Sequence, residues 1–311
     1  MANDFEAVRG KVRGPVHPVL PAFDANGGLD IEATGQYVAW LVDNGATTVI
    51  VTAGTSRLNL LTMEETAALN RVVAQHCAGR AIAVAGNPPV GSTEAARDLL
   101  TQAAADGAHA FLALYGERYY GDRYVLSFFE ALADGPLPIL AHAMPMRRAS
   151  SGPTDVHPFS LALIAELAKM PAVIGLKEEN GQEALRQRIL IDYSDRLAVV
   201  LAGGGMRALL AAHGFGATAS LVGIGSFSPQ TELKVFEALE AGRFSDVRQT
   251  VAEIERPFFD AAIPIGWHTA LKASLALMGL IPPYERAPLV PPTSEEMMAL
   301  EQALRHGGWL T

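Results

Sequence analysis

Short apolar runs alternate with amphipathic segments along most of the chain. The runs are bounded by glycine, proline or polar residues, which is typical of buried strands. We predict eight strands, at 17–23, 47–52, 81–86, 108–114, 137–143, 172–177, 197–202 and 218–226. The segments between them show helical spacing, and several begin with a capping residue such as Thr62 or Ser92. We predict helices at 30–43, 64–78, 92–106, 122–133, 157–168, 182–193, 206–213 and 230–241.

Eight successive strand–helix units predict the α/β class and, within it, a (β/α)8 TIM barrel. The strands are apolar throughout rather than alternating, which indicates burial on both faces. A doubly wound parallel sheet is the competing architecture, but no G-x-G-x-x-G pattern follows the first strand. The stretch AGGGMRALL (202–210) is interpreted as a tight turn before a helix rather than as a phosphate cradle.

The residues after the eighth unit predict a helical addition to the barrel. We place the barrel at 1–241 and a C-terminal three-helix extension, packed on the barrel, at 242–311. Its helical patterns lie near 245–260, 266–279 and 294–306. The proline-rich stretch between the last two patterns is interpreted as a stiff, extended connector.

The composition mainly excludes classes of protein and of binding partner. The 311 residues are 50% hydrophobic and 18% charged, as expected for a folded globular protein. A net charge of −9 and the lack of a basic run argue against nucleic-acid binding. The single cysteine, Cys77, excludes an internal disulfide and is typical of a reducing compartment. No apolar run has the length of a membrane helix or of a signal-peptide core, so we predict a cytoplasmic protein that binds no membrane.

A lysine at the end of the sixth predicted strand is the first candidate for chemistry. The chain has only five lysines, and Lys177 directly follows the buried run AVIGL. Such a lysine can simply extend its ammonium group to water. In a barrel, however, the carboxyl ends of the strands form the active-site face, and apolar walls there lower the pKa of an amine. Lys177 is therefore a candidate for forming a Schiff base with a ketone.

Three stretches resemble the dihydrodipicolinate synthase and N-acetylneuraminate lyase family of Schiff-base aldolases. VIGLKEENG (173–181) resembles the strand that carries the family's Schiff-base lysine. HGFGATASLVGIGSFSPQ (213–230) resembles its eighth-strand region, and LKASLALMGLIPPYERAPLVPP (271–292) resembles its closing helix and tail. The resemblance covers nearly the whole chain. It implies a barrel with three additional helices, an imine at Lys177, substrate binding at Gly223, no cofactor, and a homotetramer or dimer.

The loop after the second strand departs from the family's pattern. The family's G-T-T-G-E motif binds the carboxylate of a keto acid, and it aligns with residues 53–57. Gly54 stands where the family has a proton-relay threonine, while Thr55 keeps one hydroxyl group and Ser56 adds another. The resemblance therefore implies substrate binding at Gly54, Thr55 and Ser56. Arg57 reverses the charge of a glutamate and is a candidate for binding an additional anionic or hydroxylated group of the substrate.

Two further relay positions also differ. In PILAHAMP (138–145), His142 stands where the family has its acid–base tyrosine, and an imidazole can move protons near neutral pH. The alternative is a histidine that only packs in the core. Gly116 stands where the synthase uses a tyrosine from the other subunit of its dimer. The differences at Gly54, Gly116 and His142 argue against dihydrodipicolinate synthesis.

Arg147 aligns with an arginine that holds a substrate carboxylate, but either Arg147 or Arg148 can face the pocket.

Two functions of different classes stay open on the sequence alone. The first is a Schiff-base lyase that acts on pyruvate or a related 2-oxo acid, by aldol cleavage or condensation or by dehydration of a 2-keto-3-deoxy sugar acid. The second is a non-catalytic barrel or sensor that keeps the keto-acid pocket without turnover. A metal-dependent aldolase is disfavoured, because the eight histidines are scattered and form no H-x-H or H-E-x-x-H pattern. We therefore predict no metal site.

Overall fold

Eight parallel strands form a closed barrel, which confirms the predicted fold. The computed structural model describes residues 2–116, 118–148 and 156–310, without the side chains of 2–4, 147, 148 and 156. The first strand, β1, consists of Gly14–Pro15, which pairs with the eighth strand, and His17–Pro18, which pairs with the second. This double pairing closes the sheet. The other strands are β2 Thr48–Ile50, β3 Ile82–Gly86, β4 Ala110–Ala113, β5 Ile139–Ala143, β6 Val173–Glu178, β7 Ala198–Ala202 and β8 Ala219–Leu221.

Helix α1, Ala2–Lys11, precedes the barrel, and eight helices follow the eight strands in turn. Those helices are α2 Ile31–Asp43, α3 Met63–Cys77, α4 Thr93–Ala105, α5 Asp122–Ala133, α6 Leu161–Lys169, α7 Glu183–Tyr193, α8 Gly205–Ala212 and α9 Pro229–Glu240. Their starts follow from local sequence, because Ser92 caps α4 and Thr62 forms a capping box with Glu65 in α3. In the described part of the chain, no helix is long and apolar enough to cross a membrane.

Two layers of apolar side chains cover the strands. One layer fills the barrel interior and includes Ile50 and Leu140. The other lies between the strands and the helices and includes Val49 and Ala141. Successive side chains of a strand point to opposite sides, so neighbouring residues join different layers. His142, two residues after Leu140, therefore points towards the barrel axis at the carboxyl end of β5.

The C-terminal extension contains the predicted helices, with one difference in the first of them. Helix α10, Phe244–Thr250, passes through a π-helical stretch, Val251–Glu255, into α11, Arg256–Ile265. The predicted first helix is thus divided and ends later than expected. Helices α12, Trp267–Leu277, and α13, Ser294–His306, match the other two patterns. Apolar side chains of the extension share one core with the barrel, and a domain boundary at residue 241 stays a prediction.

Candidate active site

The two predicted catalytic residues lie side by side at the carboxyl end of the barrel. Strands β5 and β6 are neighbours, and His142 and Lys177 are partners in their register. Nζ of Lys177 lies 2.8 Å from Nε2 of His142. Both residues are only 3% exposed, although both line a cavity at this end of the barrel. The structure therefore brings a buried amine into direct contact with a buried imidazole.

A third residue, Glu179, joins this pair, although sequence reasoning did not select it. Its carboxylate forms an ion pair with Lys177 and lies 2.7 Å from Nε2 of His142. The Glu179 side chain is 40% exposed and faces the cavity. A signal for it was present in the sequence, since residues two apart on an extended segment point to the same side. We call these three residues the Lys177–His142–Glu179 triad.

Burial and charge act in opposite directions within the triad. Burial lowers the pKa of Lys177, and the Glu179 carboxylate opposes this shift. Burial, together with the Lys177 charge, lowers the pKa of His142 to about 4. Burial alone would raise the pKa of Glu179, but the Lys177 charge and the hydrogen bond with His142 outweigh it and hold that pKa below its usual range. At neutral pH the carboxylate is therefore ionised and the imidazole is neutral.

Nε2 of His142 faces two partners but carries at most one proton. It can accept a hydrogen bond from a Lys177 ammonium group, or it can donate one to Glu179 beside a neutral Lys177 amine. When the Lys177 ammonium group transfers one proton to Nε2 of His142, the first arrangement becomes the second, with a neutral amine and an imidazolium. The ionised Glu179 stabilises the imidazolium that results. The triad can therefore release the amine for nucleophilic attack.

The triad opens into a cavity of about 320 Å³, which we call the lysine cavity. Gly54 and Thr55, both predicted to bind substrate, form part of its wall. No described residue accepts a hydrogen bond from the backbone amides of Gly54 and Thr55 or from the Thr55 hydroxyl, so these donors are available to a ligand. The rest of the lining is Thr52, Ala53, Met144, Ala202, Gly203, Gly204, Gly205, Leu221, Val222, Phe259, Ile263, Trp267 and His268. Among the described residues, no group of three or more His, Cys, Asp or Glu side chains could hold a metal ion.

Ser56, the third predicted residue of this loop, does not line the lysine cavity. Its fully buried hydroxyl donates to the carbonyl of Val19 at 2.6 Å and accepts from the amide of Thr52 at 3.0 Å. The Ser56 amide donates to the carbonyl of Thr52 at 3.1 Å. Ser56 therefore fastens the loop to the segment after β1, and its hydroxyl is engaged there rather than presented to a ligand.

Arg57 ties the same loop to the extension. Its side chain is 2% exposed, and Nη2 lies 2.5 Å from Oε1 of Glu285. The guanidinium also donates to the carbonyls of Gly54 at 3.2 Å and His268 at 2.9 Å. Arg57 is thus fully engaged in contacts within the fold. It is not free for the substrate contact considered from the sequence.

Replacing Arg57 with alanine is expected to lower the free energy of unfolding by about 3–5 kcal/mol, because it leaves the buried Glu285 without its nearest cation. Among the described residues, Lys272, at 4.0 Å, is then the one cation that pairs with that carboxylate. Denaturant unfolding of the variant and the wild type measures the difference. Arg188→Ala is the matched control, since its exposed pair with Asp192 contributes little. Equal stability of Arg57→Ala and wild type would show that the buried pair adds nothing net.

Two glycines of the barrel rim make room for side chains of α12. A Cβ atom on Gly54 would lie 2.4 Å from Cε1 of His268, and one on Gly223 would lie 2.6 Å from Cζ2 of Trp267. Gly223 has a φ of 101°, which other residues rarely adopt. Gly223, predicted to bind substrate, is thus covered by Trp267 and is not part of the cavity lining. His268 is a cavity residue that sequence reasoning missed, because only the packing of α12 on the rim brings it there.

The arginines after β5 are described only in their backbone. Arg147 and Arg148 belong to the short strand Met146–Arg148, which pairs with Arg118–Tyr119. Their side chains lie outside the described residues. The predicted contact of Arg147 with a substrate carboxylate therefore stays a prediction.

A larger cavity of about 570 Å³, which we call the side cavity, adjoins the lysine cavity. The two cavities share Glu179, Ala202 at the end of β7, and Gly203 and Gly204 of the following loop. Arg186 in the side cavity is already bound, with Nε 2.5 Å from Oε2 of Glu178. Arg207 is exposed, and its guanidinium makes no hydrogen bond within the described chain. Arg207 therefore places a positive charge in the lining of the side cavity, which also contains the carboxylates of Glu179 and Glu183.

Comparison with known proteins connects this site to a family. The family model described as "Dihydrodipicolinate synthetase family" matches residues 11–307. The "Probable 5-dehydro-4-deoxyglucarate dehydratase 1" of Streptomyces coelicolor is 29% identical over 307 residues, covering 94% of this chain and 92% of that protein. The 4-hydroxy-tetrahydrodipicolinate synthase of Mycolicibacterium paratuberculosis is 29% identical over 296 residues, covering 92% of each chain.

Solved structures share the fold over nearly the same length. A dihydrodipicolinate synthase from Bacillus anthracis has a TM-score of 0.80 at 24% identity, covering 94% of this chain and 98% of that one. YagE, a prophage protein of the dihydrodipicolinic acid synthase family from E. coli K12, was solved in complex with pyruvate. It has a TM-score of 0.80 at 19% identity, covering 96% of this chain and 99% of its own. Since the family match spans both barrel and extension, the chain is a lyase that belongs to the dihydrodipicolinate synthetase family.

Proposed function

We propose that Lys177 forms an imine with the C2 carbonyl of pyruvate or a related 2-oxo acid. The chain then uses this imine for aldol cleavage or condensation, or for dehydration of a 2-keto-3-deoxy sugar acid. One observation carries the proposal: the buried Lys177 amine faces a cavity while it contacts His142 and Glu179. A lysine that only stabilises the fold needs a partner for its charge but no cavity in front of it.

Proton transfer from Lys177 to His142 starts the reaction. The neutral amine attacks C2, a nitrogen–carbon bond forms, and the carbonyl electrons move to oxygen. The oxygen then leaves as water, with one proton from the amine nitrogen and one from the His142 imidazolium. An iminium at C2 and a neutral His142 remain. The positive charge stays on the Lys177 nitrogen, where the Glu179 carboxylate compensates it.

The iminium accepts the electrons that are released at C3. In aldol cleavage those electrons come from the C3–C4 bond, and in dehydration they come from the C3–H bond before the C4 hydroxyl leaves. Both routes pass through an enamine at C2 and C3. His142 is placed to move the proton at C3, because it touches the nitrogen that is bonded to C2. The choice between the two routes depends on the substrate.

The cavities support a substrate that is larger than pyruvate. Gly54 and Thr55 offer hydrogen-bond donors for the carboxylate of the 2-oxo acid. The side cavity extends beyond Glu179, and the Arg207 guanidinium in its lining makes no hydrogen bond with a described residue. We therefore propose a substrate whose far end is acidic or polyhydroxylated. The relative named as a 5-dehydro-4-deoxyglucarate dehydratase agrees with such a substrate.

The residues at the relay positions favour a substrate other than that of dihydrodipicolinate synthase. Gly54, Gly116 and His142 stand where the family pattern has two hydroxyl-bearing relay groups and its acid–base tyrosine. The non-catalytic alternative gains no support, because the relatives are named as enzymes and the triad keeps its nucleophile. A homotetramer or dimer and a cytoplasmic location stay predictions.

Borohydride reduction in the presence of pyruvate tests the proposal. Hydride converts the imine into a secondary amine, so we expect a stable added mass on the peptide that holds Lys177. A panel of 2-oxo acids, including sugar acids, then identifies the preferred substrate class. Lys272 is an internal control, since it is equally buried but donates to the carbonyl of Pro21 at 2.6 Å. Labelling of Lys272, or no labelling with any 2-oxo acid, would contradict the proposal.

A further inference from the structure

His268 lines the lysine cavity and has no part in the steps described above. Its backbone is fixed on two sides, because its carbonyl accepts a hydrogen bond from Arg57 at 2.9 Å and the neighbouring Trp267 fills the space at Gly223. The imidazole itself is exposed to the cavity. Neither ring nitrogen makes a hydrogen bond with a described residue. A ring that is held in place with both nitrogens free is suited to contact a ligand.

The ring lies against the loop that offers donors to a carboxylate. A Cβ atom on Gly54 would meet Cε1, Nε2 and Nδ1 of His268 at 2.4, 2.9 and 3.0 Å. Gly54 is not among the residues with positive φ, so its backbone does not require glycine. The imidazole therefore explains why this position has no side chain. Gly54 and His268 together form one wall beside the free amides.

We propose that the imidazole of His268 donates a hydrogen bond to the carboxylate of the 2-oxo acid held at Gly54 and Thr55. The C-terminal extension then takes part directly in substrate binding. This inference rests on the proposed function and adds a substrate-binding residue to it. Four titratable side chains line the cavity within the described residues, and three of them form the triad, which leaves His268 for the carboxylate.

The charges around His268 agree with a neutral donor. Burial and the positive charges of Arg57 and Lys177 lower the pKa of His268, and Glu179 opposes them. The ring is therefore neutral at neutral pH and keeps one N–H group. A hydrogen bond to a charged acceptor is stronger than one between neutral groups. Losing it is expected to weaken carboxylate binding by about 10–100-fold.

The test compares two ketones that differ in the carboxylate. Imine formation at Lys177 is trapped with borohydride over a range of pyruvate concentrations and, separately, of hydroxyacetone concentrations. His268→Leu is expected to raise the half-saturating pyruvate concentration about 10–100-fold and to leave that of hydroxyacetone unchanged. His268→Asn keeps an N–H donor and is expected to recover part of the loss. His213→Asn, a change outside both cavities, is the matched control.

Gly54→Ala supplies an independent variant, because its Cβ atom displaces the ring without removing it. It is expected to weaken pyruvate binding, and its effect is expected to be non-additive with that of His268→Leu. An equal loss for both ketones in His268→Leu would assign the residue to packing and overturn the inference. An unchanged pyruvate response would overturn it as well. If saturating pyruvate is still trapped at Lys177 in every variant, the proposed function stands, whatever the result for His268. If pyruvate is not trapped in the wild type, the proposed function itself is rejected.

Discussion

Lys177→Ala is expected to abolish turnover while the barrel stays folded. The lysine cavity contains no second amine in its described lining, so no other group can form the imine. Loss of a catalytic nucleophile costs about 10⁶-fold in turnover when the other parts of the site remain. The fold tolerates the change, because the Glu179 side chain is 40% exposed and keeps its contact with His142. Steady-state kinetics on the preferred 2-oxo acid, with circular dichroism for the fold, measures both expectations.

Two control variants show whether Lys177 acts as a nucleophile or only as a positive charge. Lys177→Arg keeps a cation beside Glu179, but a guanidinium stays protonated and cannot attack a carbonyl. We therefore expect Lys177→Arg to be as inactive as Lys177→Ala. Lys169→Ala removes an exposed lysine from α6 and is expected to leave turnover unchanged. Turnover by Lys177→Arg above one per cent of the wild type would mean that charge, not imine formation, is the role of Lys177.

The barrel was predictable because its signals are local. The strands are buried on both faces and most of the helices have one apolar face, so most units show their own periodicity. Capping residues such as Thr62 and Ser92 mark helix starts in the sequence and cap them in the structure. His142 and Lys177 could also be selected from the sequence, because both lie near the carboxyl ends of strands, on the active-site face. Their direct contact follows from the register of two adjacent strands.

The parts that were missed depend on contacts between distant segments. Arg57 seemed available to a substrate, but its partner Glu285 lies 228 residues further along the chain. Trp267 and His268 of α12 occupy the space at Gly223 and Gly54, so that Gly223 lies outside the cavity lining and His268 lies within it. Local patterns cannot show how an extension packs on a barrel rim. Glu179 is the exception, since its place beside Lys177 follows from the two-residue period of extended chain.

The structure also changes what pH dependence is expected from the histidine. An exposed imidazole titrates near pH 6.5, which would place the acidic limb of the activity profile close to neutrality. Burial and the Lys177 charge lower the pKa of His142 to about 4. The neutral ring, which accepts the Lys177 proton, is therefore present above that value and is lost below it. The acidic limb of kcat/KM that belongs to His142 is expected well below neutral pH.

His142→Asn is expected to lower turnover by about 10²–10⁴-fold, the range that a positioned acid–base group contributes. The asparagine amide cannot accept the Lys177 proton or return it to the departing oxygen. Borohydride trapping of pyruvate survives at long incubation, because Lys177 remains, and its rate falls with turnover. The limb of the kcat/KM profile that reports the His142 pKa of about 4 disappears in the variant. His213→Asn, outside both cavities, is the matched control and is expected to match the wild type.

The Glu179→Gln variant distinguishes whether His142 or Glu179 moves the proton of the Lys177 amine. Glu179 touches both Lys177 and His142, so it is the other candidate for moving the proton. If the imidazole is the shuttle, Glu179→Gln removes the charge that stabilises the imidazolium, and its loss is not additive with that of His142→Asn. Normal turnover of His142→Asn together with a large loss in Glu179→Gln would instead assign proton transfer to the carboxylate. His142 would then be a core residue that packs against the nucleophile.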